Sequence, residues 1–364
     1  MNFSVNLATT TGCNLACKYC YVHNNPINLS VEQVKKIKEN LPKILRKYNC
    51  DSYSMTYFGG EPLLNFDLIK NTYQMFKEDP LCLHILIISN GLLLDQEKVD
   101  FIKKEKIGFS WSFDGLWNDI NRVDVSGKGT LSRYLEKMDI IRQVSPHNCK
   151  VMISPTSVDT LVENYEFFKE KLNMYNIDYT LVRDNIWKEE DIEKFDKNIK
   201  RLSDLYVKDF SAGNNISIGF FTLALMDIFI GNKLGKRPFS CFAGNCGGGF
   251  MPDGWMYACV RFGTNKKYPI YDYMNDKWNE ENFNFLISPK VSNPIEYEKC
   301  KKCSIRQYCN AGCNYSHIEN NCEPLECICK LFKIIYRESF NIFDRLKNNE
   351  NFINMISSSL NNVG

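Results

Sequence analysis

A chain of 364 residues, 44% apolar and 13% aromatic, has the material for a core larger than one small domain, which excludes an intrinsically disordered protein. Its 45 basic and 43 acidic residues leave a formal charge of +2, which excludes the strong one-sign field of a nucleic-acid or anionic-membrane binder. Sixteen cysteines, most in tight clusters and with no basic-then-apolar leader, point to metal or cluster ligation in a reducing, cytoplasmic compartment rather than to disulfides. No apolar run reaches the length of a membrane span; the longest, GFFTLALMDIFIG, carries Asp227.

FSVNLATT opens the chain as an apolar strand, and a loop with Cys13, Cys17 and Cys20 follows its C-terminal end. From Ser30 as N-cap, VEQVKKIKENLPKILRKY alternates apolar and charged residues at helical spacing, and Pro42 predicts a kink or a break. SYSMTYF is a strand that runs into Gly59-Gly60-Glu61-Pro62. After a further helical segment, HILIISNG is a continuous apolar run of the kind buried on both faces. The rhythm repeats with DQEKVDFIKKEK as helix, IGFSWSFDG as strand and TLSRYLEKMDIIRQV as helix. CKVMISPTS as strand, VDTLVENYEFFKEKL as helix and IDYTLVRD as strand follow.

This alternation implies an α/β fold of parallel strands with right-handed crossovers. Six units predict a partial (β/α)6 TIM-like barrel over residues 1–215. In such folds chemistry gathers at the C-terminal ends of the strands, where the Cys13 loop, Gly59-Gly60-Glu61, Ser89-Asn90-Gly91, Ser112-Phe113-Asp114-Gly115, Ser154 and Arg183-Asp184 fall. Helical patterns over 188–212 and 218–232 lead away from the barrel; residues 346–364 read as a C-terminal tail whose last dozen residues are frayed.

Three thiolates on one short loop can hold three irons of a cubane cluster and leave the fourth iron open for chemistry. A partial zinc site is the alternative, though three cysteines without a nearby fourth ligand suit zinc poorly. The spacing of Cys13, Cys17 and Cys20, with Tyr19 before the last of them, resembles the signature of the radical S-adenosylmethionine (SAM) superfamily. That resemblance implies a 4Fe–4S cluster that binds SAM and an activity that begins with abstraction of a hydrogen atom from substrate. Gly59-Gly60-Glu61 resembles the family's GGE motif, which binds the SAM amino group; the glycines admit close backbone approach and Glu61 supplies a carboxylate. Ser112 matches the serine of an SxDG element that contacts the SAM ribose or carboxylate, while Asp114 either shares that role or orders the turn. Arg133 matches an arginine that faces the SAM carboxylate, with Arg122 as competitor, and Asn90 fits a contact to SAM or substrate. Tyr19 would offer its backbone to the adenine.

A second series, Cys241, Cys259, Cys300, Cys303, Cys309, Cys313 and Cys329, resembles the seven-cysteine SPASM domain, here residues 216–345 with a closing helix. SPASM domains accompany radical SAM enzymes that modify peptides and proteins. The resemblance implies two auxiliary 4Fe–4S clusters, one on Cys241, Cys246, Cys259 and Cys313, the other on Cys300, Cys303, Cys309 and Cys329. That makes three clusters in all. Cys246 lies outside the seven-cysteine core, Cys327 competes with Cys329, and zinc ribbons remain the alternative at Cys300/Cys303 and Cys309/Cys313. Cys50, Cys82, Cys149 and Cys322 read as spare or buried thiols.

Auxiliary clusters can accept the electron released when a substrate radical closes a new bond, so an oxidoreductase acting on a peptide or protein side chain is expected. The expected reaction is a thioether, carbon–carbon or ether crosslink in a ribosomally synthesised peptide. Formylglycine formation, as in anaerobic sulfatase-maturing enzymes, is the alternative. Those enzymes resemble this chain in architecture but carry an aspartate after the cysteine matching Cys259, where Val260-Arg261 stand here, and a tyrosine where Val22 stands. A reading from another class is a non-catalytic iron–sulfur electron carrier. An electron donor such as flavodoxin or ferredoxin is expected. Because the first strand begins near Phe3, either a separate precursor-binding protein or the barrel itself is expected to hold the peptide. No nucleic-acid or membrane partner is expected.

Overall fold

The computed structural model describes residues 1–22, 25–146, 148–214, 216–234, 241, 243–288, 291, 297–309 and 312–361. The chain forms two compact units, one of residues 1–113, 118–146 and 242–292, the other of residues 114–117, 147–241 and 293–364.

The first unit is built on parallel strands β1 (Asn2–Thr10), β2 (Ser52–Gly59), β3 (Cys82–Ser89) and β4 (Gly108–Trp111), joined by helices α1 (Val31–Lys47), α2 (Phe66–Lys77) and α3 (Gln96–Lys104). Two further helices, α4 (Asn118–Asn121) and α5 (Leu131–Arg142), follow β4. Val5 opposite Met55 and Leu7 opposite Tyr57 put alternate side chains into a fully buried layer. The Ser30 cap is a reciprocal capping box with Gln33, as the sequence predicts. The expected break at Pro42 does not occur. Helix α1 continues through it, held by buried Leu41, Ile44 and Leu45 on either side. Strand β3 is not buried along its whole length: the register with β2 skips Leu83, which bulges out and stands exposed.

The same unit takes in chain from far downstream. Strand β8 (Gly247–Phe250) pairs in parallel with β1, from Ser4 opposite Gly247 to Leu7 opposite Phe250. Antiparallel β9 (Trp255–Tyr257), β10 (Tyr271–Asp272) and β11 (Lys277–Trp278) then extend the sheet to eight strands. Two of the glycines of β8 are a packing requirement. A Cβ on Gly248 would stand 2.8 Å from the Met256 sulfur, and one on Gly249 would stand 2.4 Å from the Val260 nitrogen.

The second unit holds parallel strands β5 (Asn148–Ile153), β6 (Asn176–Leu181) and β7 (Ser217–Ile218), with helices α6 (Leu161–Leu172), α7 (Glu189–Ser211) and α8 (Gly219–Leu234). A long helix, Glu326–Leu346, lies along α7. The Ser203 hydroxyl donates to Glu338 at 3.0 Å and Arg337 pairs with Asp196, tying the two together. The expected frayed tail is a helix, Glu350–Asn361, because Phe352 and Ile356 are buried and Phe352 meets the edge of Phe210. Among the described residues no helix is long and apolar enough to cross a membrane.

Candidate active site

The loop after β1 is fixed by backbone bonds on every side. Thr11 N–H donates to the Ile27 carbonyl at 3.1 Å, Ala16 N–H to Val123 at 2.8 Å and Lys18 N–H to Asn121 at 2.9 Å. The thiols it carries are neighbours. Burial, together with the negative charges of Glu61, Cys17 and Cys20, pushes the Cys13 thiol up to about 12. Burial raises Cys20 as well, against the pull of the Val22 N–H and Arg122. Bare thiolates are therefore disfavoured together, and a cationic metal at this point would reverse that. Hydrogen bonds to sulfur are already in place, from Leu15 N–H to Cys13 and from Val22 N–H to Cys20, each at 3.4 Å. Among the described residues no three His, Cys, Asp or Glu side chains close around a point as they would on a single metal ion. Three soft sulfur donors from one loop fit an iron–sulfur cluster, which Cys13, Cys17 and Cys20 would hold.

Gly59 and Gly60 do admit a close approach, and what approaches is the cysteine loop itself. Gly59 has φ +131°, and a Cβ there would stand 2.3 Å from the Thr10 oxygen; one on Gly60 would stand 2.1 Å from the Gly12 oxygen. Without side chains in the way, Gly60 N–H donates to Thr10 and Glu61 N–H to Gly12. The Glu61 carboxylate is fully buried and accepts from Leu63 N–H, the Ser89 hydroxyl and Asn90 N–H at 3.0, 2.7 and 2.7 Å. Burial nonetheless raises its carboxyl to about 7. Glu61 thus locks the ends of β2 and β3 together, below the cysteine loop.

Asn90 extends from that lock to the loop. Its Nδ2 lies 2.8 Å from Asn14 Oδ1 and 3.9 Å from the Cys13 sulfur. Ser112, just past β4, is tied to the same strand end by its N–H on the Ser89 carbonyl. The two arginines separate clearly. Arg133 stands 43% exposed and pairs with Asp124 at 3.7 Å. Arg122 is buried, with Nη1 3.9 Å from the Cys17 sulfur and its guanidinium 5.5 Å over the Tyr19 ring. The structure therefore brings together Cys13, Cys17, Cys20, Tyr19, Asn90 and Arg122 at the mouth of the strands, and leaves Arg133 on the α5 surface. Asp114 accepts from Met152 N–H at 2.9 Å and so orders the C-terminal end of β5. Sequence reasoning missed the strap formed by Asn121 and Val123, for which no local pattern exists.

Among the later cysteines, Cys246 enters β8 with its carbonyl on Ser4 N–H, and Cys259 precedes helix α9 (Val260–Thr264). Cys241 and Cys313 belong to the second unit. There Cys329 is pushed up to about 11 by burial and then by the charges of Cys300 and Cys303, so these three thiols are neighbours. Cys327 turns away, with its sulfur 3.7 Å from Asn185 Oδ1. Arg261 lies over the ring of Tyr21 at 5.7 Å.

Residues 7–155 match the model of the Radical SAM superfamily. The chain is 23% identical, over 371 residues and 93% of its length, to a cysteine-type anaerobic sulfatase-maturating enzyme of Clostridium perfringens, of which it covers 96%. It is 21% identical to the radical SAM cyclopropyl synthase TigE of Paramaledivibacter caminithermalis, covering 95% of this chain and 75% of that one. Its fold is that of the solved native anSMEcpe with bound AdoMet and Kp18Cys peptide, at 22% identity and a TM-score of 0.75 over 96% of this chain and 100% of that one. The cysteine loop at the end of β1, the parallel α/β partial barrel and the family match together identify residues 7–155 as a radical SAM domain, in a chain whose relatives over 93–95% of its length are named as enzymes.

Proposed function

We propose that this enzyme oxidatively modifies a side chain of a peptide or protein, forming a thioether, carbon–carbon or ether crosslink in a ribosomally made peptide. The reading assigns residues 1–215 to the barrel, 216–345 to a SPASM domain and 346–364 to a C-terminal appendage. One 4Fe–4S cluster sits on Cys13, Cys17 and Cys20 and binds SAM; together they supply hydrogen-atom abstraction. Tyr19, Asn90 and Ser112 would contact SAM, while Gly59, Gly60 and Glu61, expected to do so, instead hold the cysteine loop and the ends of β2 and β3 in place. Arg122, held on the cysteine loop, takes the carboxylate role in place of Arg133. Cys241, Cys246, Cys259 and Cys313, and Cys300, Cys303, Cys309 and Cys329, would hold two auxiliary clusters, which would supply an acceptor for the electron left when the new bond closes. A flavodoxin- or ferredoxin-type donor supplies reducing electrons, and a separate protein presents the precursor.

One observation carries the choice of a crosslink. Directly after Cys259, where the sulfatase-maturing resemblance calls for an aspartate, stand Val260 and Arg261, the latter over Tyr21. A guanidinium does not take up a proton near neutral pH, so the base that formylglycine formation would use there is absent from that position. The second reading, formylglycine formation, rests on the 23% identity extending over 93% of this chain and 96% of the maturase. The named activity of TigE as a cyclopropyl synthase points instead to ring-forming chemistry on a similar chain.

The test co-expresses the enzyme with the product of a neighbouring short open reading frame and weighs that peptide. Loss of two hydrogens per modification supports the crosslink. Loss of sulfide from a cysteine with gain of oxygen overturns it in favour of formylglycine. Anaerobically reconstituted enzyme, given dithionite and SAM, is expected to release 5'-deoxyadenosine.

A further inference from the structure

A pocket in the second unit opens at the C-terminal end of β6 and encloses about 490 Å³, its open mouth included. Its walls are apolar and aromatic, with Tyr179 and Leu181 from β6, Phe220 and Leu223 from α8, and Phe332 and Tyr336 from the helix Glu326–Leu346. Leu223 is 58% exposed at the mouth. Into this lining α8 places one carboxylate, Asp227.

The Tyr336 hydroxyl lies 2.7 Å from Asp227 Oδ2 and 2.9 Å from the Tyr308 carbonyl. A phenol has one proton for two acceptors. If it goes to the Tyr308 carbonyl, Asp227 must itself donate and is neutral; if Asp227 is ionised, the phenol turns to it. The pair can therefore take either charge state without losing its mutual hydrogen bond. Burial places the Asp227 carboxyl at about 7, partly opposed by the Tyr336 bond. The titratable and charged groups around Asp227 are Tyr179 and Arg183 from β6 and the segment after it, and Tyr336 from the long helix. Arg183 shares the pocket and has a buried Nε without a partner, but it is turned away from Asp227: its guanidinium lies 5.6 Å over the Phe332 ring and Nη1 is 3.4 Å from the Gly312 carbonyl.

We propose that this pocket takes the side chain of a lysine of the peptide substrate, its ammonium against Asp227 and its methylene stem along the aromatic walls. The inference rests on the reading of the chain as a peptide-modifying enzyme. A half-buried carboxylate among aromatic faces is matched by a cation, which gains both Coulomb attraction and cation–π contact. Because Tyr336 holds one carboxylate oxygen, a single oxygen remains for the ligand. That suits a point-charged ammonium rather than the two-pronged guanidinium of arginine. Covering Leu223 with the lysine stem removes the apolar rim from water.

The test uses the full chain with its clusters reconstituted and Nα-acetyl-lysine amide as probe, at pH 7. Saturable binding by calorimetry is expected, at least about tenfold weaker for the norleucine analogue, which keeps the stem and lacks the charge. Asp227→Asn is expected to lose a similar factor. Binding to the unaltered enzyme should release roughly half a proton, read as a buffer-dependent heat, because a cation drives Asp227 to its ionised form. No saturable binding, equal affinity for norleucine, tighter binding of the arginine analogue, or a heat independent of buffer would each overturn the assignment. Release of 5'-deoxyadenosine is measured on the same preparation. Its presence without lysine binding sinks the pocket alone, whereas its absence alongside lysine binding sinks the enzymatic reading.

Discussion

The two cysteine regions are built on different principles. The loop of Cys13, Cys17 and Cys20 is laid on a sheet: its backbone is bonded to Ile27, Asn121 and Val123, and Gly60 and Glu61 donate into it from β2. The region from residue 297 to 329 contains no strand among its described residues. Two of its helices, Glu298–Lys301 and Asn314–Glu319, are only four and six residues long, joined by turns such as Cys303 N–H on the Cys300 carbonyl, and the region ends on the first turn of the long helix Glu326–Leu346. Short isolated helices are unstable alone, so this region depends on what its side chains bind. The first site is held by the sheet beneath it, whereas the second is held by side-chain packing such as Tyr308 on Phe340 and by the Ser316 hydroxyl on the Arg183 carbonyl, and bound clusters would add cross-links there.

The strongest way to separate the two is by cysteine substitution. Cys13→Ala is expected to abolish 5'-deoxyadenosine release. Cys329→Ser is expected to keep that release while product formation is lost, and Cys327→Ser should change neither; chromatography of the two products checks this. Iron chelation gives the next largest contrast. Proteolysis should then cut first within residues 297–329 while the β1–β4 sheet stays protected, and hydrogen exchange should show the same order. Equal protection of both regions would erase the distinction.

Within the first site, Arg122→Met is expected to weaken SAM binding by roughly tenfold or more, the loss of a buried charge-assisted contact, while Arg133→Met has a several-fold smaller effect. The same titration of SAM on both variants decides between them. Gly60→Ala is expected to cost about 2–3 kcal/mol of stability, because its methyl would meet the backbone of Gly12, which cannot move without distorting the cysteine loop. Denaturant melts measure it.

The smallest effect concerns the second unit and pH. The Asp227 carboxyl lies at about 7 when folded, above its unfolded value of about 4. The folded chain therefore holds a proton that the unfolded chain has released. This contribution to stability is complete below about pH 4 and is lost as pH rises through 7. Asp227→Asn should flatten that part of the pH–stability curve.

What the sequence determined by itself was local or periodic. Three cysteines within eight residues, Ser30 three residues before Gln33, and the alternation of strand and helix patterns are all set by short separations along the chain. A thiol cannot be far from another three residues away, and an apolar face at helical spacing must be buried. Only the tertiary structure decided which distant residues meet. Sequence favours Arg133 with Arg122 as competitor, but the return of residues 121–124 onto the cysteine loop sets Arg122, not Arg133, beside Cys17. The glycine run 247–249 carries no strand pattern of its own, yet it forms a strand because β1, more than two hundred residues earlier, offers it an edge and the backbone at Cys259 leaves no room for a side chain on Gly249. Tyr336 meets Asp227 across 109 residues, and the pocket they line exists only because two helices and a strand end converge there. Such pairings depend on the packing of whole elements, which no window of sequence contains.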